Sequence, residues 1–332
     1  MSDLVQLKPT DFASDQEVRW CPGCGDYSVL AQTKKVLAKV GADKSKTVFV
    51  SGIGCSSRFP YYVGTYGFHT IHGRAPTIAS GLKLARPDLN VWIATGDGDG
   101  LSIGGNHLLH IIRRNLNVKI ILFNNRIYGL TKGQYSPTTE KGKKTKSSPM
   151  GTLEQPLRPM SFALGAGATF AARTSATDVK HVEYVLERAA RHKGTALVEI
   201  YQNCVIFNDG AFDLLTDKDT KADNTLILEQ GKPLVFGKNR DKAIRLSGLR
   251  PEVVPATSPD LLVHDEAEPF AAQAFLMSQL RAPEFPEPFG IFRAVEQETL
   301  DELVHQQIAE AQQGGVGDLQ ALLKGSETWT VD

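Results

Sequence analysis

The chain has 332 residues, of which 41% are apolar, enough for a sizeable core in one large domain or two smaller ones. Its 37 basic and 37 acidic residues cancel, which argues against nucleic acid as the main partner. The first twenty residues contain no signal-peptide core, and no later apolar run is long enough to span a bilayer. We therefore expect a soluble cytoplasmic protein with neither a membrane nor a nucleic-acid partner, whose thiols stay reduced.

Helices and strands are predicted to alternate up to about residue 205. Apolar residues at helical spacing predict a helix over 29–40, and the β-branched run KTVFVSG predicts the strand that follows. Further helices are expected at 75–86, 103–114 and 178–192, with buried strands in NVWIAT, VKIILF and TALVEIY. Nearly continuous apolar strands between helices predict an α/β fold, a mostly parallel sheet flanked by helices.

The pattern weakens beyond residue 205. LILEQ and LVFG are candidate strands, PEVVPATSPD is predicted to be a loop, and helices are expected near 266–281 and 300–313. No internal repeat and no sharp change in composition marks a linker. We therefore divide the chain into a catalytic domain, residues 1–210, and a C-terminal extension, residues 211–332, which docks on that domain or wraps around it.

Three conspicuous loops follow predicted strands. SGIGCSS comes after the strand that ends near Ser51, TGDGDGLSIGG after the strand near Thr95, and NNRIYGLTKGQ after the strand near Phe123. Ligands of a parallel sheet gather beyond the carboxyl ends of its strands. The fold should therefore bring these loops together around a binding site.

The GDGDG segment of the second loop predicts a metal site. It lacks the glycine spacing of a dinucleotide fingerprint, and Leu101 stands at the fifth position of an EF-hand alignment. Asp97 is better interpreted as a ligand of Mg²⁺, which would bridge this carboxylate to a phosphate oxygen. Asn125, at the end of the next strand, can supply a second oxygen. A surface turn remains the alternative for either motif alone.

Taken together, the two motifs match the GDG…NN signature of thiamine-diphosphate sites. The signature requires them on neighbouring strands, and 25 residues separate Gly98 from the Asn124–Asn125 pair, enough for one helix and one returning strand. Mg²⁺ would clamp the diphosphate, and the backbone N–H groups of Gly98 and Asp99 would be further donors.

The chain has four cysteines: Cys21 and Cys24 in CPGCGD, Cys55 in SGIGCSS, and Cys204 in QNC. Four thiolates can hold a [4Fe–4S] cluster or a zinc ion, and buried cysteines without a ligand are also common. The cysteines alone leave these interpretations open. The thiamine signature favours the cluster, because thiamine chemistry that oxidises needs an electron acceptor.

Seven motifs over roughly residues 17–210 carry a family resemblance: CPGCGD, SGIGCSS, HTIHGRA, GLKLARPDL, GDGDGLSIGGNHLLHIIRRN, FNNRIYGLTKGQYSPTT and QNC. In this order they resemble the β subunit of the 2-oxoacid:ferredoxin oxidoreductases, most of all its 2-oxoglutarate branch. The resemblance implies oxidative decarboxylation of 2-oxoglutarate to succinyl-CoA and CO₂, reversible in principle, with electrons passing through a [4Fe–4S] cluster to ferredoxin. Alternatives are pyruvate or a broad range of 2-oxoacids as substrate, a non-oxidative thiamine-dependent decarboxylase, and an electron-transfer subunit.

The resemblance also implies residue roles. It makes His72 a candidate for proton exchange near the reacting centre, although a structural histidine is an equal alternative. The implied cluster ligands are Cys21, Cys24, Cys55 and Cys204, and the implied Mg²⁺ ligands are Asp97, Asn125 and the carbonyl of Ile127. The implied thiamine-site residues are Ile53, Gly54, Cys55, Ser56, His72, Gly98, Asp99, Gly129 and Leu130.

The activating glutamate that thiamine enzymes place against the aminopyrimidine ring is not among these motifs. The resemblance implies that an α subunit supplies it on a pyrimidine-binding domain, together with most of the coenzyme A site and part of the substrate pocket. The working unit would then be an αβ heterodimer or its dimer, a heterotetramer.

Two cations are candidates for the distal carboxylate of 2-oxoglutarate, Lys132 in YGLTKGQ and Arg58. The alternative is that both lie at the rim, with Arg58 raising the potential of the cluster. The basic run KGKKTK at 141–146 is interpreted as a solvated loop or, alternatively, as a docking site for an acidic ferredoxin or a phosphate of coenzyme A.

Overall fold

The structure, a computed structural model, describes residues 7–329 and 331; residues 1–6, at the start of the predicted catalytic domain, lie outside the described residues, as do 330 and 332. The strands in the described part are β1 (Thr47–Ser51), β2 (Tyr66–His69), β3 (Asn90–Gly96), β4 (Val118–Asn124), β5 (Phe170–Ser175), β6 (Ala196–Tyr201), β7 (Thr225–Leu228), β8 (Val235–Phe236), β9 (Lys242–Ser247), β10 (Arg250–Pro255) and β11 (Glu287–Ala294). The helices are α1 (Asp26–Lys39), α2 (Phe59–Tyr62), α3 (Ala75–Ala85), α4 (Gly105–Arg113), α5 (Pro159–Gly165), α6 (Val179–Arg191), α7 (Asp213–Thr216), α8 (Lys221–Asn224), α9 (Ala272–Gln279), α10 (Leu300–Gln313) and α11 (Leu319–Lys324).

Eight strands form the main sheet, in the order β2-β1-β3-β4-β6-β5-β11-β7. The first six are parallel to their neighbours, whereas β11 runs antiparallel to β5 and parallel to β7. The edge strand β2 is exposed along its whole length. The predicted α/β fold with a mostly parallel sheet is confirmed.

Helices cover both faces of this sheet, so its central strands are buried on both sides. In β3, Val91 and Ile93 pack into one apolar cluster, while Trp92 and Ala94 pack into the other. This alternation is the period of two expected of a strand, and it explains why the predicted strands read as continuous apolar runs. Helices α3, α4, α5 and α9 contribute to the first cluster, and α1 and α6 to the second.

Local sequence explains where α6 begins and which face it buries. The carboxylate of Asp178 accepts a 3.2 Å hydrogen bond from the backbone N–H of His181 and caps the helix. Its buried residues recur at helical spacing and face the sheet. They are Val182, Val185, Leu186 and Ala189.

The chain beyond residue 210 adds to the main sheet and builds a second one. Strands β7 and β11 join the main sheet, and β8, β9 and β10 form a separate three-stranded antiparallel sheet. Helix α10 is tied to the rest by Asp301, whose carboxylate accepts a 3.0 Å hydrogen bond from the backbone N–H of Asn117. The division at residue 210 stays a prediction.

A buried ion cluster joins β11 to the centre of the sheet. The guanidinium of Arg173 lies 2.8 Å from a carboxylate oxygen of Glu199 and 3.0 Å from one of Glu287, and Tyr201 donates a 2.7 Å hydrogen bond to Glu287. Burial opposes the charge of Arg173, but Glu199, Tyr201 and Glu287 together outweigh burial and raise its pKa. Strand β11 is therefore held by charge as well as by its ladder of hydrogen bonds.

The expectation of a loop at PEVVPATSPD is wrong for its first half, because Arg250–Pro255 forms β10. Pro251 and Pro255 are tolerated because β10 is an edge strand, paired on one side only. Among the helices that the structure describes, none combines the length and the apolar composition needed to cross a bilayer.

Candidate active site

Four neighbouring strands of the main sheet, β1, β3, β4 and β6, end at the same edge. Their last residues are Ser51, Gly96, Asn124 and Tyr201. The SGIGCSS, GDGDG and NNRIYG segments follow the first three, and QNC follows the fourth. The predicted convergence of the three loops is confirmed by this strand order, which also brings Cys204 to the same edge.

A cavity of about 500 Å³ opens where these loops meet. It brings together every residue expected to line the thiamine site and all three expected Mg²⁺ ligands: Ile53, Gly54, Cys55, Ser56, His72, Asp97, Gly98, Asp99, Asn125, Ile127, Gly129 and Leu130. Sequence analysis did not assign the other lining residues, which are Asp26, Gly96, Phe123, Tyr128, Thr131 and Gln134.

Asp97 is fixed in the wall of the cavity by two hydroxyl groups. Its Oδ2 accepts a hydrogen bond of 2.5 Å from Ser136 and lies 2.6 Å from the hydroxyl of Thr138, which is also 3.0 Å from Oδ1 of Asn124. Burial raises the pKa of Asp97, and the hydrogen bonds from Ser136 and Thr138 oppose that rise. The SPTT segment thus ties the ends of β3 and β4 together, a role that the quoted motif did not reveal.

The turn after β4 contributes Asn125 and Ile127 to the wall of the cavity. Oδ1 of Asn125 accepts a 3.1 Å hydrogen bond from the backbone N–H of Ile127, and Arg126 between them has a positive φ of 57°. Asn208 donates a 3.0 Å hydrogen bond to the backbone carbonyl of Asn125. An amide oxygen, a nearby carbonyl and the carboxylate of Asp97 are the hard oxygen donors that Mg²⁺ prefers, so these residues fit the ion.

Asp99 supports the loops around the cavity. Its Oδ1 accepts hydrogen bonds of 3.0 Å from the backbone N–H of Ile53 and 2.7 Å from that of Gly73, and it lies 2.6 Å from Nδ1 of His72. Its Oδ2 accepts a 2.6 Å hydrogen bond from Thr95. The carboxylate partner accounts for a hydrogen on Nδ1 of His72, so Nε2 of this cavity-lining ring is the nitrogen that can serve a bound group.

The cysteines gather beside Gly129. A β-carbon built on Gly129 would lie 3.5 Å from Sγ of Cys204 and 3.6 Å from Sγ of Cys55, so both sulfurs face the same small space. Burial, followed by Asp26 and then by the thiols of Cys204 and Cys21, raises the pKa of Cys55 to about 12. The four cysteines thus come together from three distant segments of the chain.

Cys24 belongs to the same group. Burial, the carboxylate of Asp26 and the thiol of Cys55 raise the pKa of Cys24. The backbone N–H of Cys24 also donates a 3.1 Å hydrogen bond to the carbonyl of Cys21, which keeps these two residues side by side. A [4Fe–4S] cluster would need all four side chains as thiolates. The four residues therefore fit a [4Fe–4S] cluster by the type and number of their ligand atoms, and the sulfurs of Cys55 and Cys204 lie beside the same glycine. Within residues 7–329 and 331, no three His, Cys, Asp or Glu side chains are placed to bind one metal ion.

The two cations expected to contact substrate do not line the cavity. Lys132 is exposed, has a positive φ of 73° and follows Thr131, which does line it. Arg58 is half-buried, and its charge opposes the rise in the pKa of Cys55. Arg58 thus lies within electrostatic range of the cysteine group, whereas Lys132 is the exposed neighbour of a residue that lines the cavity.

Comparison with known proteins gives the family. Residues 52–200 match the family described as "Thiamine pyrophosphate enzyme, C-terminal TPP binding domain". The chain is also 52% identical to the 2-oxoglutarate oxidoreductase subunit KorB of Mycobacterium tuberculosis, over 98% of this chain and 89% of that protein. The chain belongs to the β subunits of the 2-oxoacid:ferredoxin oxidoreductases. The resemblance inferred from the seven motifs is confirmed, and so is the thiamine-diphosphate-binding domain.

Other 2-oxoacid:ferredoxin oxidoreductases agree with this assignment. A 2-oxoglutarate synthase subunit KorB of Archaeoglobus fulgidus is 44% identical over 56% of this chain and 69% of its own length. The 2-oxoglutarate:ferredoxin oxidoreductase of Magnetococcus marinus, solved with 2-oxoglutarate, coenzyme A and succinyl-CoA bound, superimposes with a TM-score of 0.78. That match has 34% sequence identity and covers 97% of this chain and 96% of the other, so the C-terminal extension is shared with it.

Proposed function

We propose that the chain is the β subunit of an enzyme that oxidatively decarboxylates 2-oxoglutarate to succinyl-CoA and CO₂, in a reversible reaction with ferredoxin as electron acceptor. One observation carries the proposal: Cys55 lines the same cavity as Asp97 and Asn125. A redox group on Cys55 would therefore lie beside a diphosphate held through Asp97. The substrates named for the relatives from Mycobacterium tuberculosis and Magnetococcus marinus support 2-oxoglutarate and coenzyme A.

The cavity residues bind and orient the cofactor. When bound, thiamine diphosphate supplies a carbon nucleophile for the 2-oxo group and an electron sink for loss of CO₂. Asp97, Asn125 and the carbonyl of Ile127 would hold Mg²⁺, whose charge offsets that of the diphosphate. The backbone N–H groups of Gly98 and Asp99 would donate to the same group.

His72 is the cavity residue suited to move a proton. Asp99 fixes its ring through Nδ1, as the 2.6 Å contact indicates, and would stabilise the imidazolium if Nε2 took up a proton. The side chain of His72 is 37% exposed, so the proton can exchange with solvent. We assign His72 to proton exchange at Nε2 on the substrate side of the cavity.

The cysteine group provides an outlet for electrons. Cys21, Cys24, Cys55 and Cys204 would bind a [4Fe–4S] cluster, which accepts one electron at a time. Cys55 lines the cavity whereas Cys21 is exposed, so the group extends from the site of chemistry to the surface. A small acceptor such as ferredoxin could therefore collect electrons on the side of Cys21.

A partner subunit completes the site. The relatives named as β subunits imply an α subunit, and we assign to it the activating glutamate and most of the coenzyme A site. Among the described residues that line the cavity there is no lysine or arginine, so the distal carboxylate of 2-oxoglutarate needs a cation from the rim. Lys132 suits this role better than Arg58, which lies nearer the cysteines.

The test is the composition and activity of the chain produced with and without its α subunit. The complex should contain iron and thiamine, show the visible absorption of an iron–sulfur cluster under anaerobic conditions, and reduce ferredoxin with 2-oxoglutarate and coenzyme A. Thiamine without iron would favour a non-oxidative decarboxylase, and iron without thiamine an electron-transfer subunit. The chain alone should be inactive, and substantial ferredoxin reduction by it would contradict the two-subunit arrangement.

A further inference from the structure

Gln202 lies between the cysteine group and the buried end of α1, and the proposed function leaves it without a role. Its side chain is buried, and its Nε2 lies 2.7 Å from Oδ1 of Asp26 and 3.0 Å from Sγ of Cys24. An amide NH₂ group carries two hydrogens, so Nε2 can donate to both atoms at once. Cys24 therefore accepts a hydrogen bond from Gln202, and the buried carboxylate of Asp26 holds Gln202 in place.

The two acceptors fix the direction of this amide. In the structure its NH₂ group faces Asp26 and Cys24, and its oxygen makes no hydrogen bond with a described residue. Asp26 is 1% exposed, so bulk water does not compete for its Oδ1. The orientation of Gln202 is thus set by Asp26.

Gly25 makes the contact sterically possible. A β-carbon on this residue would lie 2.8 Å from Cγ of Gln202, closer than side chains pack. At the other end, the backbone N–H of Gln202 donates a 3.0 Å hydrogen bond to the carbonyl of Asn124, at the end of β4. Both the backbone and the side chain of Gln202 are therefore held in place.

Packing stability alone does not explain the pair. Oδ2 of Asp26 and Oε1 of Gln202 are buried and have no hydrogen-bond partner among the described residues. Burying an unpaired polar group costs about 1–3 kcal/mol. What the arrangement secures is the hydrogen bond from Gln202 to the sulfur of Cys24.

We propose that Gln202, positioned by Asp26, raises the reduction potential of the cluster through its N–H···S hydrogen bond to Cys24. The inference rests on the cluster assigned above. Reduction adds negative charge to the cluster and its sulfur ligands, so a hydrogen-bond donor stabilises the reduced state more than the oxidised one. Gln202 is a positioning and tuning residue, which contacts a cluster ligand and does not contact substrate.

The test is a redox titration of the complete complex with its α subunit, followed through the EPR signal of the reduced cluster. Gln202→Leu keeps much of the side-chain volume but has no donor. The equilibrium constant for cluster reduction should fall about tenfold, which is about 59 mV for a one-electron couple. Gly25→Ala keeps every hydrogen-bond donor but displaces Gln202. The reduction potential of the cluster should therefore also fall in this variant.

Asn203→Ala is the matched control. This amide is the neighbour of both Gln202 and Cys204, but its Nδ2 donates to Asp209, 2.6 Å away, and not to a sulfur. The reduction potential of the cluster in Asn203→Ala should equal that in the unchanged protein. Iron content, measured first in every variant, separates an effect on potential from loss of the cluster.

The outcomes are separable. An unchanged potential in Gln202→Leu with full iron content would overturn the inference and leave the cluster assignment intact. If Gln202→Leu loses iron, the inference depends on Gly25→Ala with its iron retained. A lowered cluster potential in Gly25→Ala would support the inference, and an unchanged potential would overturn it. Loss of iron in both variants would overturn it as well, because the pair would then hold the loop and not tune the cluster. Absence of iron from the unchanged protein would refute the cluster itself.

Discussion

Asp97 and Asp99 lie two residues apart in GDGDG, and their carboxylates belong to different hydrogen-bond networks. Asp97 is held by hydroxyl groups in the wall of the cavity, where oxygen ligands converge. Asp99 accepts hydrogen bonds from the backbone of two other loops and contacts the ring of His72. One carboxylate is available to a metal ion, and the other fixes the loops that surround it.

Asp97→Ala should abolish retention of thiamine diphosphate and Mg²⁺ while the chain stays folded. A charge-assisted contact of about 1.5–3 kcal/mol is lost, so the cofactor should bind at least about tenfold more weakly. Thiamine and magnesium analysis of the purified complex measures this. Asp97→Asn keeps the size of the side chain and one oxygen, so it should lose less of the bound cofactor and magnesium. Full cofactor content in Asp97→Ala would show that Asp97 is not a ligand.

Asp99→Ala should destabilise the fold itself. It leaves two backbone N–H groups and one hydroxyl without their buried acceptor. Each such group costs about 1–3 kcal/mol, so the free energy of unfolding should fall by about 3 kcal/mol or more. Urea unfolding measures the change. Asp88→Ala, which removes an exposed carboxylate paired with Arg86, should leave the free energy of unfolding nearly unchanged, and equal losses in the two variants would contradict the structural role of Asp99.

Cys204→Ser should remove the cluster although 148 residues separate Cys204 from Cys55. A cluster with four irons needs its fourth thiolate to close the shell. The iron content and the visible absorption of the anaerobic complex should both fall sharply. Val205→Ala in the same loop should keep both. A Cys204→Ser variant with full iron and normal ferredoxin reduction would mean that Cys204 only packs.

Lys132→Ala should impair 2-oxoglutarate selectively. A charge-assisted hydrogen bond of roughly 1.5–3 kcal/mol corresponds to a fall of about 10- to 150-fold in kcat/KM. Pyruvate has no distal carboxylate, so its kcat/KM should stay the same. Alanine and lysine carry similar strain at the positive φ of 73°, so the change tests the side chain beyond its β-carbon.

The control for this prediction is Lys141→Ala, which removes an exposed lysine from the basic run at 141–146. It should leave the kcat/KM of both 2-oxoacids unchanged. If Lys132→Ala lowered kcat/KM equally for 2-oxoglutarate and pyruvate, Lys132 would act on the cofactor or the loop. If neither kcat/KM value fell, the contact with the distal carboxylate of 2-oxoglutarate would belong to Arg58 or to the α subunit.

Glu287→Ala should lower the free energy of unfolding by about 3 kcal/mol, because removal of one partner leaves part of a buried charge cluster unpaired. Glu252→Ala is a matched control, since it also removes a glutamate 2.9 Å from an arginine, Arg245, but at the surface. It should cost less than about 1 kcal/mol. Urea unfolding of both variants checks this, and similar values would mean that the Arg173 cluster does not hold β11.

Sequence patterns predicted the central strands because those strands are apolar on both faces. They missed β5 and β11, whose buried residues include Arg173, Glu287 and Arg293. A charged residue is predicted to be exposed unless its ion-pair partner is known. Arg173 and Glu287 are 114 positions apart in the chain, so the sequence does not reveal that they pair. The short strand β2 was also missed, because a four-residue exposed strand has no buried face to produce an alternating pattern.

The candidate site was predictable where a motif carries its chemistry in the residue type. Asp97, Asn125 and the four cysteines could be named from spacing and family resemblance. The partners that hold such residues, Thr138 and Gln202 among them, could not be assigned, because hydroxyl and amide side chains are common in loops. Their roles depend on atoms that only the fold brings together.

The exposed edge strand β2 has a consequence for handling the protein. Its outer backbone groups can pair with another strand, and Tyr66 and Phe68 are 66% and 47% exposed there. Such an edge favours self-association when a chain is produced without the protein that covers it. The subunit synthesised alone should therefore aggregate with time and concentration, and synthesis together with a partner that covers β2 should keep it dispersed.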